Sequence, residues 1–258
     1  MLASPCYVIS DIHLGHAPPD VERSLLAFLR ALPGRAGSLL INGDLFEFWF
    51  EWRTVVPRSG VRVLAALMDL RDAGVPVMMI AGNHDCWGGE ILRDAGVDFR
   101  TGPWEGALAG WHGRVEHGDG LRAKEDRGYR ALRRLLRNSV AIRAYRLLHP
   151  DLATRLAMGS SQTSRNYQPR DGGLGLRAVA AEALRARADL ELLVYGHSHV
   201  AALERTASGN VYANAGSWLT RPTYLVVTPN RITLREWRHS AEGPELHTLD
   251  RIAEEALA

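Results

Sequence analysis

The chain has 258 residues, of which 46% are hydrophobic and 23% are charged, and both values are ordinary for globular proteins. This composition excludes a disordered or fibrous chain, and the length suits one large domain with room for an insertion. Cys6 and Cys86 are too few for a disulfide framework, and no apolar run approaches the ~18 residues of a membrane span, so we expect a cytoplasmic protein.

Apolar runs alternate with amphipathic stretches through the first eighty residues. The pattern predicts strands at 7–10, 38–41 and 77–80, and helices at 21–32 and 61–73. Strands that alternate with helices favour a largely parallel sheet covered on both faces. Ligands of such sheets gather at the carboxyl ends of the strands.

The middle of the chain is strongly basic. Residues 122–165 hold eleven Lys or Arg against three acids. Because the whole chain has a net charge of +2, the residues outside this segment carry a net charge of about −6. Apolar positions between 129 and 148 form a helical stripe, which predicts a pair of helices. Residues 158–173 are polar and rich in turn formers, so we predict a loop there, and helix returns at 176–188. We interpret 121–171 as an inserted basic helical cap.

The last part of the chain predicts a second sheet. Short strands are expected at 192–195, 211–213, 224–228 and 232–237, with a hairpin turn at Pro229-Asn230. The expected fold class is therefore α/β, a two-sheet sandwich flanked by helices. Residues 1–120 and 172–258 would form this domain around the inserted cap.

Polar clusters follow the predicted strands. They are Asp11-Ile-His13, Gly43-Asp44, Gly82-Asn83-His84-Asp85, Glu116-His117-Gly118-Asp119 and Gly196-His197-Ser198-His199. A single histidine after an apolar strand is more often structural than a ligand. Together the clusters contain five of the ten histidines, and carboxylate, imidazole and amide groups converging from separate strands are what a pair of hydrolytic divalent ions requires.

In this order the motifs DxH, GD, GNHD, HGD and GHSH resemble the calcineurin-like metallophosphoesterases. The resemblance spans residues 11 to 199 and implies a metallophosphoesterase sandwich with two divalent ions, Mn²⁺ above all. It implies that one ion is held by Asp11, His13, Asp44 and His199. It implies that the other is held by Asp44, Asn83, His117 and His197.

The resemblance also implies a catalytic role for His84. This imidazole would donate a hydrogen bond or proton to the phosphate or the leaving group, with Asp85 orienting it. A pKa near 6.5 suits a histidine to that task because both protonation states are accessible around neutral pH. A loop cap is the alternative role for Asp85.

A closer resemblance is to the UDP-2,3-diacylglucosamine diphosphatases of lipid A synthesis, which carry a helical cap between HGD and GHxH. Glu47 matches their GDLF(D/E)xW motif, whereas the best-known branch has Arg in place of His84. The resemblance implies cleavage to UMP and 2,3-diacylglucosamine 1-phosphate. The basic, apolar-striped cap suits such an amphiphile and equally a protein that rests on an anionic membrane surface, and a solvated basic helix is the alternative. The substrate contacts that the resemblance implies are Asn83, His84, Asp126, Tyr129, Ser161 and Arg165.

An aromatic run follows Asp44, and it is compatible equally with core residues and with an entrance for acyl chains. Its members are Phe46, Phe48, Trp49, Phe50 and Trp52.

The metal motifs also suit a phosphatase or phosphodiesterase acting on a soluble nucleotide or a phosphoprotein. A non-catalytic scaffold of the same fold is a further alternative, although it would not need His84 or His117. Nucleic acid is not expected as a partner because stacking aromatics are sparse in the basic stretch. No obligate protein partner is predicted.

Overall fold

The computed structural model describes residues 1–165, 171–238 and 241–252, and the side chains of 160–165 lie outside that description. The helices are α1 Pro19–Ala31, α2 Val61–Asp72, α3 Glu90–Asp94, α4 Arg127–Leu136, α5 Ser139–Arg146, α6 Pro150–Arg165 and α7 Leu174–Ala186. The strands are β1 Cys6–Ile9, β2 Ser38–Asn42, β3 Val77–Ile80, β4 Val97–Arg100, β5 Trp104–Leu108, β6 Trp111–Val115, β7 Leu192–Tyr195, β8 Ala202–Arg205, β9 Val211–Asn214, β10 Thr223–Thr228, β11 Arg231–Arg238 and β12 Ala241–Asp250.

The strands form two sheets that face each other. One has seven strands in the order β12-β11-β10-β1-β2-β3-β4, and the other has five in the order β5-β6-β7-β9-β8. β1 to β4 are parallel, as are β6, β7 and β9. The predicted two-sheet α/β sandwich is confirmed, and so is the hairpin that joins β10 to β11.

The alternation of side chains along β1 shows how the layers are built. Cys6 and Val8 point into the core between the two sheets, whereas Tyr7 and Ile9 point into the core beneath α1 and α2. On the far side, α7 covers the outer face of the five-stranded sheet. Because both faces of the central strands are buried, their sequences are continuously apolar rather than alternating.

The described part of the cap contains three helices between β6 and α7, rather than the predicted pair. The Asn138 side chain accepts hydrogen bonds from the backbone N–H groups of Val140 and Ala141 at 2.9 and 3.2 Å, and this N-cap separates α4 from α5. In the part of the chain that the structure describes, no helix is both long and apolar enough to span a membrane.

The predicted loop at 158–173 is wrong for its first eight residues, because α6 continues to Arg165. Pro150 occupies the first position of this helix, where its missing N–H is not needed. Ala153, Ala157 and Met158 then pack against the aromatic run that follows Asp44. This tertiary contact supports a helix that polar residues alone would not predict.

Candidate active site and metal centre

The predicted ligands lie at one edge of the sandwich. β1 ends just before Asp11, β2 before Asp44, β3 before Asn83, β6 before His117 and β7 before His197. Parallel neighbours within each sheet end at the same side, so their following loops meet there. The arrangement gives the sequence motifs a common location.

The converging side chains form two groups around a shared carboxylate. Among the described residues, the groups at this edge whose ligand atoms lie within 4.8 Å of one another include Asp11, His13 and His199, and Asp44, His117 and His197, and His13, Asp44 and His84 form a further such group. The Nε2 atoms of His13 and His199 are 3.2 Å apart. Asp44 Oδ2 lies 3.2 Å from His117 Nε2 and 3.8 Å from His13 Nε2, which places this carboxylate between the two groups. The shared position is the one that a bridging ligand requires.

The backbone at these residues is unusual. Among the described residues, positive φ angles at non-glycine positions occur at Ala109 and at five predicted ligands, namely Asp11, His13, Asp44, His197 and His199. Each such residue carries a conformational cost of about 1–3 kcal/mol, and these conformations cluster at functional sites. The fold therefore holds strained backbone where the ligands are needed.

Two glycines allow the loops to approach closely. A Cβ atom added to Gly82 would overlap the Asp44 carboxylate, and one added to Gly43 would overlap the His117 ring. Gly43 also has a φ of +80°, a conformation that glycine adopts at little cost. Glycine before Asp44 and before Asn83 therefore leaves the space that the His117 ring and the Asp44 carboxylate occupy.

Electrostatic coupling links the buried Asp44 and His117. Burial alone would raise the pKa of Asp44, but the positive charges of His117 and His84 outweigh it and hold this pKa well below its usual value. Burial would lower the pKa of His117, but the Asp44 charge raises it well above its usual value. Burial and the His117 charge lower the pKa of His197 to about 4, so His197 is neutral at physiological pH.

The donor set fits divalent cations. His117 Nε2 and Asn83 Oδ1 are buried and have no hydrogen-bond partner among the described residues, although His117 Nε2 lies near Asp44. The other ring nitrogen of His117, Nδ1, donates to the carbonyl oxygen of Asn42 at 2.8 Å, which directs Nε2 towards the centre. Buried polar atoms of this kind are nearly always paired, so these two atoms suit a metal ion, whose binding would displace the proton from His117 Nε2.

His84 lies beside the first group of ligands. Its ring is 4.9 Å from that of His13, centroid to centroid, and its Nδ1 donates to the main-chain carbonyl of Glu47 at 2.9 Å. The backbone N–H of His84 donates to Asp44 Oδ1 at 3.0 Å. Because Nδ1 carries the proton, Nε2 is the nitrogen that can exchange a proton with a substrate.

Asp85 has different partners from the predicted one. Its carboxylate accepts from the backbone N–H groups of Gly82 and Leu45, both at 2.8 Å. The His84 ring is instead oriented by the Glu47 carbonyl, so the expectation that Asp85 orients it is wrong. The alternative role, a loop cap, describes the geometry of Asp85. Burial, followed by the Asp44 charge, raises the pKa of Asp85 to about 6.

The two predicted cap contacts that the structure describes are engaged within the protein. Asp126 accepts from the backbone N–H and the guanidinium of Arg122 at 2.9 and 2.7 Å. The Tyr129 hydroxyl donates to Asp119 at 2.6 Å, so it ties α4 to the loop that carries His117. The other two predicted contacts, the side chains of Ser161 and Arg165, lie outside the described residues.

Residues outside the predicted site support its loops. Ser10 Oγ donates to Asp11 Oδ2 at 2.6 Å, and Ser217 Oγ donates to the Asp11 carbonyl at 2.7 Å. Asn214 Nδ2 donates to the carbonyl of Gly196 at 2.8 Å, in the loop that carries His197. Polar residues at the ends of otherwise apolar strands are the sequence signal that could have identified them.

The fold and the paired ligand groups define a metal-dependent hydrolase. A profile of the calcineurin-like phosphoesterases matches residues 4–201. The chain belongs to this family.

Known relatives agree with that assignment. A protein of Porphyromonas gingivalis named UDP-2,3-diacylglucosamine hydrolase is 31% identical over 247 residues, which are 87% of this chain and 94% of the relative. A protein of the same name from Pseudomonas putida is 32% identical over 241 residues, 90% of this chain and 99% of the relative. The crystal structure of a dimetal phosphatase from Danio rerio has a similar fold, with a TM-score of 0.52 at 12% identity, and the match covers 96% of this chain and all (100%) of that one.

Gly82→Ala is expected to remove the metal pair, because the new methyl group would displace the Asp44 carboxylate. Metal content after dialysis against Mn²⁺ measures the effect. Gly102→Ala is the control, since an added Cβ there has no heavy atom within 4 Å. Full loading of the Gly82→Ala protein would contradict the close approach of these loops.

Asp44→Ala and His84→Ala are expected to separate metal binding from turnover. The first removes the shared carboxylate and should lose both ions, whereas the second should keep them and lower kcat about 10²–10⁴-fold, the range of general acid–base catalysis. Metal analysis together with hydrolysis of a chromogenic phosphodiester distinguishes the two. Equal metal content in both variants would show that these roles are wrongly assigned.

Proposed function

We propose that this enzyme hydrolyses the diphosphate of UDP-2,3-diacylglucosamine, giving UMP and 2,3-diacylglucosamine 1-phosphate, lipid X, in lipid A biosynthesis. Two observations support the proposal: the relatives that bear this activity in their names, and an apolar cavity beside the metal ligands. The cavity is the structural feature that carries the argument, because a soluble nucleotide or a phosphoprotein does not need it.

The cavity has a volume of about 500 Å³ and lies between α6 of the cap and the loop that follows Asp44. Leu14, Phe48, Trp52, Val55 and Met158 contribute to its lining. Glu47, which contacts His13 and His84, also borders it. Such a cavity suits acyl chains whose head group lies at the metal ligands.

The aromatic run contributes to the main core and to the wall of the cavity. Phe46 and Trp49 are fully buried in the main core and stack at 4.3 Å between ring centroids. Phe48 and Trp52 belong to a separate cluster beneath the cap and line the cavity. The run therefore anchors the loop in the core and also contributes apolar side chains to the lining of the cavity.

The proposed ligand sets are those of the sequence analysis, Asp11, His13, Asp44 and His199 for one ion and Asp44, Asn83, His117 and His197 for the other, with Mn²⁺ as the proposed metal. When bound, such a pair supplies a hydroxide at neutral pH and neutralises phosphoryl charge. Asp44 would contribute a ligand to both ions. His84 would hold the substrate through Nε2, while Nδ1 remains bonded to the Glu47 carbonyl.

The proposed location is the cytoplasmic face of the membrane, where the lipid substrate would be reached. The surface of the cap supports this proposal, because Leu135, Val140 and Leu147 are 61%, 64% and 88% exposed. Arginines lie among them along α4 and α5. Exposed leucines within a basic surface suit the interface of an anionic bilayer.

Purified protein with Mn²⁺ is expected to release UMP from UDP-2,3-diacylglucosamine, and a chelator should stop the reaction. Chromatographic detection of UMP measures it, with a chromogenic phosphodiester as the parallel substrate. Cleavage of the chromogenic ester alone would retain the metal chemistry and refute the lipid substrate. Inactivity on both substrates would favour the scaffold alternative.

The double variant Leu135→Ser, Leu147→Ser is expected to bind anionic phosphatidylglycerol vesicles about tenfold or more weakly, because two leucines that would enter the bilayer are lost. Co-sedimentation measures the bound fraction. Met68→Ser is the control, since this methionine is also exposed, at 41%, but lies on α2 outside the cap. Equal binding by both variants would contradict a cap-mediated contact.

A further inference from the structure

Glu47 is a buried carboxylate placed between two imidazoles of the site. It is 2% exposed, and its Oε2 accepts from His13 Nδ1 at 3.0 Å. Its Oε1 lies 3.8 Å from His84 Nδ1, and its main-chain oxygen accepts from that same nitrogen at 2.9 Å. One residue therefore contacts a predicted metal ligand and the predicted catalytic histidine.

The backbone fixes Glu47 against the His13 loop. The N–H groups of Ile12 and His13 both donate to the Asp44 carbonyl, at 2.9 and 3.0 Å. The Glu47 N–H donates back to the Leu14 carbonyl at 2.9 Å. These bonds join the two loops like short strands, so the position of the carboxylate relative to His13 does not depend on its side-chain rotamer alone.

The two metal groups differ in how their histidines are supported. His13 is backed by the carboxylate of Glu47 at 3.0 Å, whereas His117 is backed by the neutral carbonyl of Asn42 at 2.8 Å. Both contacts direct Nε2 towards the centre. Only the carboxylate adds negative charge behind the ring, which makes the imidazole a stronger electron donor to a cation.

We propose that Glu47 is a positioning residue that gives the two metal positions unequal affinities, strengthening the one formed by Asp11, His13 and His199. This inference rests on the ligand sets of the proposed function. Glu47 holds His13 with the proton on Nδ1 and leaves Nε2 for the metal. Through its carbonyl it holds His84 in the same tautomer, so one residue sets the orientation of a ligand and of the proton donor.

The size of the effect follows from the behaviour of carboxylate–histidine–metal contacts in general. Loss of such a supporting partner lowers metal affinity about 10–100-fold. Glu47→Gln keeps the shape of the side chain and an oxygen acceptor for His13 but removes the charge. The first group should therefore lose affinity in this variant, while the group of Asp44, His117 and His197 keeps it.

Glu51→Gln is the matched control. Glu51 lies four residues further along the same loop and is 6% exposed. Its carboxylate accepts from Trp49 Nε1 at 3.2 Å and from the backbone N–H groups of Ile91 and Leu92 at 3.0 and 3.2 Å, so it supports the start of α3. Its substitution removes an equally buried charge at a distance from the histidines and tests for a general loss of stability.

Titration of the metal-free protein with Zn²⁺, followed by long-range ¹H–¹⁵N spectra of the histidine rings, reports each position separately. In Glu47→Gln the signals of His117 and His197 are expected to shift at wild-type Zn²⁺ concentrations. The signals of His13 and His199 should shift only at Zn²⁺ concentrations about 10–100-fold higher than those that shift the same signals in the wild-type protein. Glu51→Gln should behave like the wild-type protein. Wild-type affinity of the first group in Glu47→Gln, or equal weakening of both groups, would overturn the inference.

The same spectra of the wild-type protein decide the matter if Glu47→Gln fails to fold. His13 is expected to carry its proton on Nδ1 and to bind Zn²⁺ through Nε2, and binding through Nδ1 would overturn the role of Glu47. Saturation of the wild-type protein by a single Zn²⁺ would contradict the dinuclear centre of the proposed function. The tautomer of His13 would still answer the question about Glu47 in that case.

Discussion

The structure depends on keeping the carboxylate of Asp44 charged inside the protein. This side chain is 1% exposed, and an isolated carboxylate in such a place would be neutralised or would destabilise the fold. It is stabilised here by His117 and His13 and by the backbone N–H of His84. These groups come from separate strands, so the charge is tolerated only where the strand ends meet. A pair of divalent cations would also compensate this buried negative charge. The same residues therefore serve the folded structure and the metal site.

The turns that present the ligands are strained, and the sandwich is what holds them. Asp11, His13 and His199 adopt left-handed backbone conformations that such residues seldom adopt in isolation. The hydrogen bonds of Ser217 to the Asp11 carbonyl and of Asn214 to the Gly196 carbonyl fasten two of these loops from behind. Apolar cores on both faces of the seven-stranded sheet and on both faces of the five-stranded sheet fix the ends of the strands. Preorganisation of this kind is what a metal site needs, because the ligands do not have to move when a cation arrives.

A single loop joins the metal ligands to the cap. Asp44 lies among the ligands and Glu47 supports His13, whereas Phe48 borders the cavity beneath α6. Phe46 and Trp49, between and beside them, enter the main core and hold the loop in place. Neighbouring side chains of this loop point in different directions. The polar residues of the site and the apolar lining of the cavity therefore lie within a few residues of each other. This is the arrangement that an amphiphilic substrate with a charged head group requires.

The sequence by itself determined the strands that precede Asp11, Asp44, Asn83 and His197, the two-sheet sandwich and the set of residues that converge. It did not predict β4, β5, β6, β8 and β12. Apolar runs and the polar motifs that follow them are local signals, and the edge at which parallel strands end follows from topology alone. Only the tertiary structure decided that α6 extends through residues that look like a loop, that Asp85 braces the backbone, and that Glu47 orients His13 and His84. It also decided that Asp126 accepts a hydrogen bond from Arg122 and that Tyr129 donates one to Asp119. These outcomes depend on which donor and acceptor come within about 3 Å across the fold, a distance that spacing along the chain does not encode.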